Sequence, residues 1–167
     1  MHFTCAVASR HARGLVRNLI HDFKYNKREH LRRPLADWLA DTLDDPRIVA
    51  TPIDALVPVP LHSTRQRERG YNQAQLLAEI LSAEFHFPLL TTLKRTRRTQ
   101  TQTSFDRAER MENLHEAFQV SHNALVQNKH LVLVDDVLTT GSTLNECARV
   151  LLKSGAASVR AICVARG

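Results

Sequence analysis

The sequence predicts one α/β domain with a mainly parallel central sheet flanked by helices. Three observations carry that expectation. Apolar residues recur at helical spacing in segments that alternate with short β-branched runs, the pattern of a parallel sheet layered with helices. The run Leu131 to Val134 is continuously apolar, as strands buried on both faces are. The chain has 167 residues, one domain's worth. At roughly 150 residues a domain buries about two thirds of its unfolded surface, so a core forms without metals or disulfides.

In chain order, Leu15, Val16, Leu19, Ile20 and Phe23 form a first helical stripe, and Leu31, Leu35, Trp38, Leu39 and Leu43 a second. Together they predict a helical part over residues 1–45. Lys24, Lys27, Arg28, Arg32 and Arg33 between them read either as a solvated face or as an anion-facing surface. Asp54 to Val59 predicts a strand running into a loop stiffened by Pro58 and Pro60. From Tyr71, the positions Ala74, Leu77, Ile80, Leu81 and Phe85 predict a helix that Pro88 ends, before a strand at 89–93. Residues 94–105, KRTRRTQTQTSF, carry four cations, no acid and a Thr/Gln alternation, so little in them packs into a core and a mobile loop is predicted. A short helix at 108–115 and a strand at 117–120 follow. The last unit, 130–167, is the clearest. It joins the strand at Leu131, a stripe of Leu144, Cys147, Ala148, Leu151 and Leu152, a C-capping Gly155 and a strand at Val159 to Val164.

Composition narrows the chemistry. Lys plus Arg number 23 against 17 Asp plus Glu, a net charge of +6, and twelve of those cations fall in 24–33, 65–69 and 94–98. No apolar stretch approaches the ~18 residues of a membrane span. The run Cys5 to Ala8 is shorter than a signal-peptide core of about 7–15 residues. A soluble cytoplasmic protein is expected. Cys5, Cys147 and Cys163 make no CxxC pair and read as small buried hydrophobes. Five glycines spell neither GxGxxG nor a Walker A loop, so a phosphate site has to work without a glycine-rich loop.

Such a site is written in LVLVDDVLTTGSTL, residues 131–144. A strand leads to two acids and then to a Thr/Gly/Ser/Thr turn that opens a helix. The free N–H groups and positive dipole end of that helix suit a phosphate, wrapped by Thr139, Thr140, Gly141, Ser142 and Thr143. Asp135 and Asp136 then suit hydroxyls or a divalent cation nearby, although acids before Thr/Ser also occur as plain turn and cap chemistry. A phosphate plus a diol describes a ribose 5-phosphate.

The same string resembles the phosphoribosyl pyrophosphate (PRPP) motif of type I phosphoribosyltransferases. VPVPLHSTRQRERGYNQ at 57–73, together with IHDFKY at 20–25, resembles the ComF family, phosphoribosyltransferase-like proteins linked to bacterial competence and DNA uptake. The resemblance spans nearly the whole chain. It implies the type I phosphoribosyltransferase fold, with a flexible loop and a small hood. Asp135 and Asp136 would hold the ribose hydroxyls, and Thr139 to Thr143 the 5-phosphate. Arg65, Arg67, Arg69 and Gly70 would take the pyrophosphate, since guanidinium forks match phosphate oxygens. His62 reads as a proton donor, a phosphate contact or a structural residue. Arg95, Gln102, Arg110, Asn113 and the Ala117–Phe118 pair also match the family, and Arg95 or Arg98 would join the catalytic set from the closing loop.

The implied reaction is displacement of pyrophosphate from PRPP by a nitrogen nucleophile, with Mg²⁺ held mainly by PRPP. The implied partners are PRPP, an unidentified nitrogen-containing acceptor, DNA-uptake proteins and a second copy in a homodimer. Two rival readings are a PRPP-binding module without turnover and direct binding of single-stranded DNA. The second is disfavoured because the basic segments lack interleaved stacking aromatics. The family usually starts with a four-cysteine zinc module; here only Cys5 stands in that region, so no zinc-dependent contact is carried over.

Overall fold

Strand β5 (His130–Leu138) is the axis of the molecule. In the computed structural model, which describes residues 1–97 and 117–167, it lies inside a four-stranded sheet of order β1-β6-β5-β2. The neighbours are β1 (Ala6–His11), β6 (Ser158–Arg166) and β2 (Ala55–Pro58), and every pairing is parallel. Val134 sits opposite Ile162 on one side and Pro58 on the other. Leu89 adds a parallel bridge to Leu56 at the outer edge of β2.

Side chains alternate across this sheet and feed two cores. Leu131 and Leu133 pack with Cys147, Leu151 and Cys163 on the face covered by α6 (Ser142–Lys153). Val132 and Val134 pack with Phe23, Leu35, Leu39, Leu77 and Leu81 on the other. That second face is covered by α1 (Gly14–Tyr25), α2 (Arg32–Ala40) and α5 (Gln73–Phe85). A small antiparallel ribbon of β3 (Leu93–Arg95) and β4 (Phe118–Val120) stands beside the first core. The end of α6 is a Schellman turn: Gly155 has φ +98°, its N–H bonds the Leu152 carbonyl at 3.0 Å, and the Ala156 N–H bonds Leu151 at 3.1 Å.

The central α/β expectation holds, and five local expectations change. Residues 6–11 form an edge strand inside the part expected to be helical; its Ser9, Arg10 and His11 hide the apolar signal because an edge strand is only half covered. The second helix stops at Ala40 and gives way to a 3₁₀ turn, Asp41–Asp44. The stretch after Pro60 is not all loop, since α4 (Ser63–Arg69) forms there with His62 as N-cap. The strand expected at 89–93 divides into the Leu89 bridge and β3. A short α3 (Pro46–Val49) precedes β2. Lys94 and Arg95, expected to open the mobile loop of 94–105, lie instead in β3, and the rest of that loop from residue 98 onward, with the expected helix at 108–115, lies outside the described residues.

No helix among the described residues is long and apolar enough to cross a membrane.

Candidate functional site

β2 ends at Pro58, opposite Val134, so the chain leaves β2 beside the two acids of β5 and leaves β5 four residues further on, each time through a constrained turn. After β2, the turn at Val59 and Pro60 is tied down by Asn72, whose Nδ2 donates to the Val59 carbonyl at 3.1 Å. The Asn72 Oδ1 accepts the Ala74 N–H at 3.1 Å and so caps α5. After β5, Thr139 and Thr140 lead to Gly141 at φ +76°, a left-handed N-cap for α6 that brings no side chain of its own. Thr140 Oγ1 lies 2.9 Å from Ser142 Oγ and accepts the Ser142 N–H at 3.3 Å. The first-turn amides of α6 and the hydroxyls of Thr140 and Ser142 thus gather at one helix start, with Thr139 and Thr143 on either side in the chain.

β5 does not stop at Val134, before the acids, as the sequence suggested, but runs through both of them to Leu138. Adjacent strand residues point to opposite faces, so the two carboxylates diverge. Asp136 is buried, 7% exposed, and pairs with Lys24 at the end of α1, Nζ to Oδ1 2.8 Å. Burial works against charge on Lys24, but the charge and hydrogen bond of Asp136 outweigh it and hold the ammonium above the ordinary lysine value. Asp135 faces the side of Cys147 and Arg95. Burial first, and the Asp136 charge second, push its carboxyl up to about 7, opposed by Lys24, by the Asp136 N–H it accepts at 2.9 Å and by Arg95.

Arg95 lies with its Cζ 5.3 Å from the Phe118 ring centroid. Burial and then the charge of Arg65 lower its pKa, against the attraction of Asp135, so Arg65, Arg95 and Asp135 share one electrostatic neighbourhood. Burial also raises the thiols of Cys147 and Cys163 well above their usual value. They are packing residues beside Asp135 and not nucleophiles.

Because α4 is a helix, its three arginines do not act together. Positions four apart share a face and positions two apart do not. Arg65 and Arg69, with Lys24, Tyr25, Lys27 and Glu68, line a cleft of about 250 Å³. Arg67 is exposed and does not line it. Gly70 ends α4 at φ +88° and turns the chain toward α5. His62 Nδ1 accepts the Thr64 N–H at 3.3 Å, which fits the structural reading of this histidine. On the other side of α4, Pro58, Pro60, Gln66, Asn72 and Arg95 line a second cavity of about 300 Å³. Arg98, Gln102, Arg110 and Asn113 lie outside the described residues.

Lys24, Tyr25 and Lys27 line this cleft without having been assigned a role in the expected site. They were visible only as part of a basic connector and of the IHDFKY string. No spacing rule reports that the end of α1 reaches the end of β5.

The phosphoribosyl transferase domain family matches residues 72–167. The chain is 38% identical over 151 residues to the DNA utilization protein YhgH of Escherichia coli K12, covering 89% of this chain and 66% of that protein. It is 39% identical over 154 residues to competence protein F of Haemophilus influenzae, with the same coverage of 89% and 66%. The chain thus spans just under two thirds of the length of these relatives. A solved glutamine PRPP amidotransferase from B. subtilis is similar in fold, with a TM-score of 0.51 and 21% identity over 78% of this chain and 25% of that one.

Proposed function

The chain belongs to the phosphoribosyl transferase domain family and is homologous to competence protein F, and from that premise we propose that it binds PRPP with Mg²⁺ and transfers the phosphoribosyl group to a nitrogen nucleophile. One observation carries the reading. The acids of β5 lie between the hydroxyl-rich start of α6, which follows the same strand, and a four-cation cleft joined to them by the Lys24–Asp136 pair.

In this reading Thr139 to Thr143 receive the 5-phosphate through α6 amides and hydroxyls. The carboxylates of Asp135 and Asp136, on opposite faces of β5, would reach the ribose hydroxyls separately, Asp136 from the side of Lys24 and Asp135 from the side of Arg95, and Arg65 and Arg69 with Lys24 and Lys27 receive the pyrophosphate. Arg67 and Gly70, expected in the same role, contribute the helix and its turn more than direct contact. Mg²⁺ favours oxygen ligands and is commonly held by one or two carboxylates plus substrate phosphates. Because the Asp135 and Asp136 carboxylates diverge, each offers such donors singly and not as a pair, so the residues fit an ion held by one carboxylate and the substrate phosphates. When bound, it would neutralise charge on the pyrophosphate.

The bond from the anomeric carbon to the pyrophosphate oxygen breaks, and a bond from that carbon to the acceptor nitrogen forms. The leaving group departs with the electron pair, and the acceptor N–H loses its proton. No protein nucleophile is needed, because orientation and charge neutralisation supply the catalysis. With a pKa of about 7, Asp135 exchanges a proton near neutrality, so PRPP binding that requires it ionised strengthens as pH rises from about 6 to 8. The compartment proposed is the cytoplasm.

The test is release of pyrophosphate from PRPP and Mg²⁺ with a panel of nitrogen heterocycles. Release with one of them supports transfer. Binding of PRPP with no release from any base leaves the binding site and removes the enzyme.

A second reading, binding of single-stranded DNA, gains one observation. The segments 24–33 and 65–69 meet in space around Tyr25, which is 59% exposed beneath the Arg69 guanidinium. A cleft of about 250 Å³ has room for about one nucleotide, so this reading stays second. Phosphate-driven DNA binding would weaken steeply as salt rises.

A further inference from the structure

Gln73 opens α5 with its side chain in the interior, 2% exposed. Its Oε1 accepts a hydrogen bond from Arg69 Nη1 at 2.9 Å. Its Nε2 is also buried and meets no acceptor among the described residues. A buried amide donor left unmade is unfavourable, and an unbranched apolar side chain of similar size fills the space without that penalty. Turning the carboxamide over would set its NH₂ against the Arg69 N–H groups, donor against donor. Arg69 therefore fixes the carboxamide, and the carboxamide fixes Arg69.

The other contacts of this guanidinium are on the surface. Arg69 Nη2 donates to Tyr25 Oη at 3.3 Å, and Arg69 Cζ stands 4.8 Å from the Tyr25 ring centroid. Tyr25 is exposed, at the last residue of α1. Gln73 is instead anchored, one residue after the Asn72 cap that grips the Val59 carbonyl. Its bond to Arg69 spans the left-handed turn at Gly70, the one backbone joint between α4 and α5 where a side chain would strain the chain.

Resting on the reading of the basic cleft as the pyrophosphate site, we propose that Gln73 is a positioning residue: its buried carboxamide holds the Arg69 guanidinium in the orientation that receives a pyrophosphate oxygen. An arginine held in place loses less rotamer freedom on binding, and that difference goes into affinity.

The experiment is calorimetric titration of inorganic pyrophosphate with Mg²⁺ into the full chain, with thermal unfolding of each protein. The proteins are wild type, Gln73→Met, Arg69→Ala and the double variant. Gln73→Met should weaken binding about tenfold, the size of one charge-assisted hydrogen bond, while its unfolding temperature stays level or rises. In the Arg69→Ala background the same substitution should change affinity less than about twofold, because a residue acting through Arg69 has nothing left to position. Gln73→Leu replaces Gln73→Met if the latter does not fold. An equal loss in both backgrounds, unchanged affinity in Gln73→Met, or a loss that tracks a falling unfolding temperature overturns the proposal. A wild type that binds no pyrophosphate overturns the reading of the cleft itself, and this role with it.

Discussion

Asp135 and Asp136 are neighbours in sequence and opposites in circumstance. Asp136 turns toward α1 and is neutralised by Lys24 at 2.8 Å. Asp135 turns toward the face of Cys147 and Arg95, where burial and its neighbour's charge raise its pKa to about 7. The same contrast extends outward. The α1 side holds a four-cation cleft, and the other side holds a neutral-to-basic cavity framed by prolines and amides. A parallel sheet whose strand end carries two acids thus offers one carboxylate paired with a lysine and one that takes up a proton near neutrality.

The largest expected effect comes from removing the paired acid. Asp136→Asn should weaken PRPP binding by about a hundredfold or more and lower stability by about 2–3 kcal/mol, since Lys24 is left mostly buried without its carboxylate. Titration calorimetry and urea unfolding read the two effects. Lys24→Met in the same background should recover part of the stability and none of the binding.

The arginines of α4 sharpen the comparison next. Arg65→Ala and Arg69→Ala should each weaken pyrophosphate binding about tenfold, and Arg67→Ala less than about twofold, because only the first two line the cleft. Equal losses at all three positions would mean that the anion sees the overall field of α4 and not one face of it.

Asp135 should behave in the reverse way to Asp136. Its folded-state pKa lies above the ordinary carboxylate value, so its favourable contribution is complete below about pH 4 and is lost as pH rises through about 7. Asp135→Asn removes that loss. The variant should be more stable than wild type at pH 8 by about 1–2 kcal/mol, with a flatter profile in urea unfolding between pH 4 and 8. A variant less stable at pH 8 would mean that Asp135 is ionised and well paired in the free protein.

The smallest effect concerns the turn. Gly141→Ala meets only ordinary contacts, Leu138 Cδ1 at 3.5 Å and Phe3 Cζ at 3.8 Å, so its cost of about 1 kcal/mol comes from φ +76° and not from crowding. Thermal unfolding measures it directly.

Much of this was legible in the residues. Leu131 to Val134 announced the central strand because burial on both faces leaves an unbroken apolar run. Asp135, Asp136 and the Thr139 to Thr143 turn were readable because strand, acids and helix start are contiguous. Contiguity also set the limit. The split of the two acids to opposite faces follows from strand alternation, yet an expected strand end at Val134 concealed it. The short α4 carries no apolar stripe for periodicity to find, so Arg65, Arg67 and Arg69 read as one cluster in a loop. Lys24 was legible only as one cation of a connector that could face an anion, and Gln73 only as the last residue of the 57–73 string. Their roles depend on the end of α1 meeting β5, and on a left-handed turn at Gly70, contacts that span the fold and leave no local pattern.

The most direct test of the central claim is calorimetric titration of PRPP, with and without Mg²⁺, into wild type and an Asp135→Asn/Asp136→Asn double variant whose folding is verified by thermal unfolding. Binding by wild type, strongest with Mg²⁺, and none by the folded double variant is the predicted result. Equal binding by both proteins would contradict the assignment of the β5 carboxylates to PRPP.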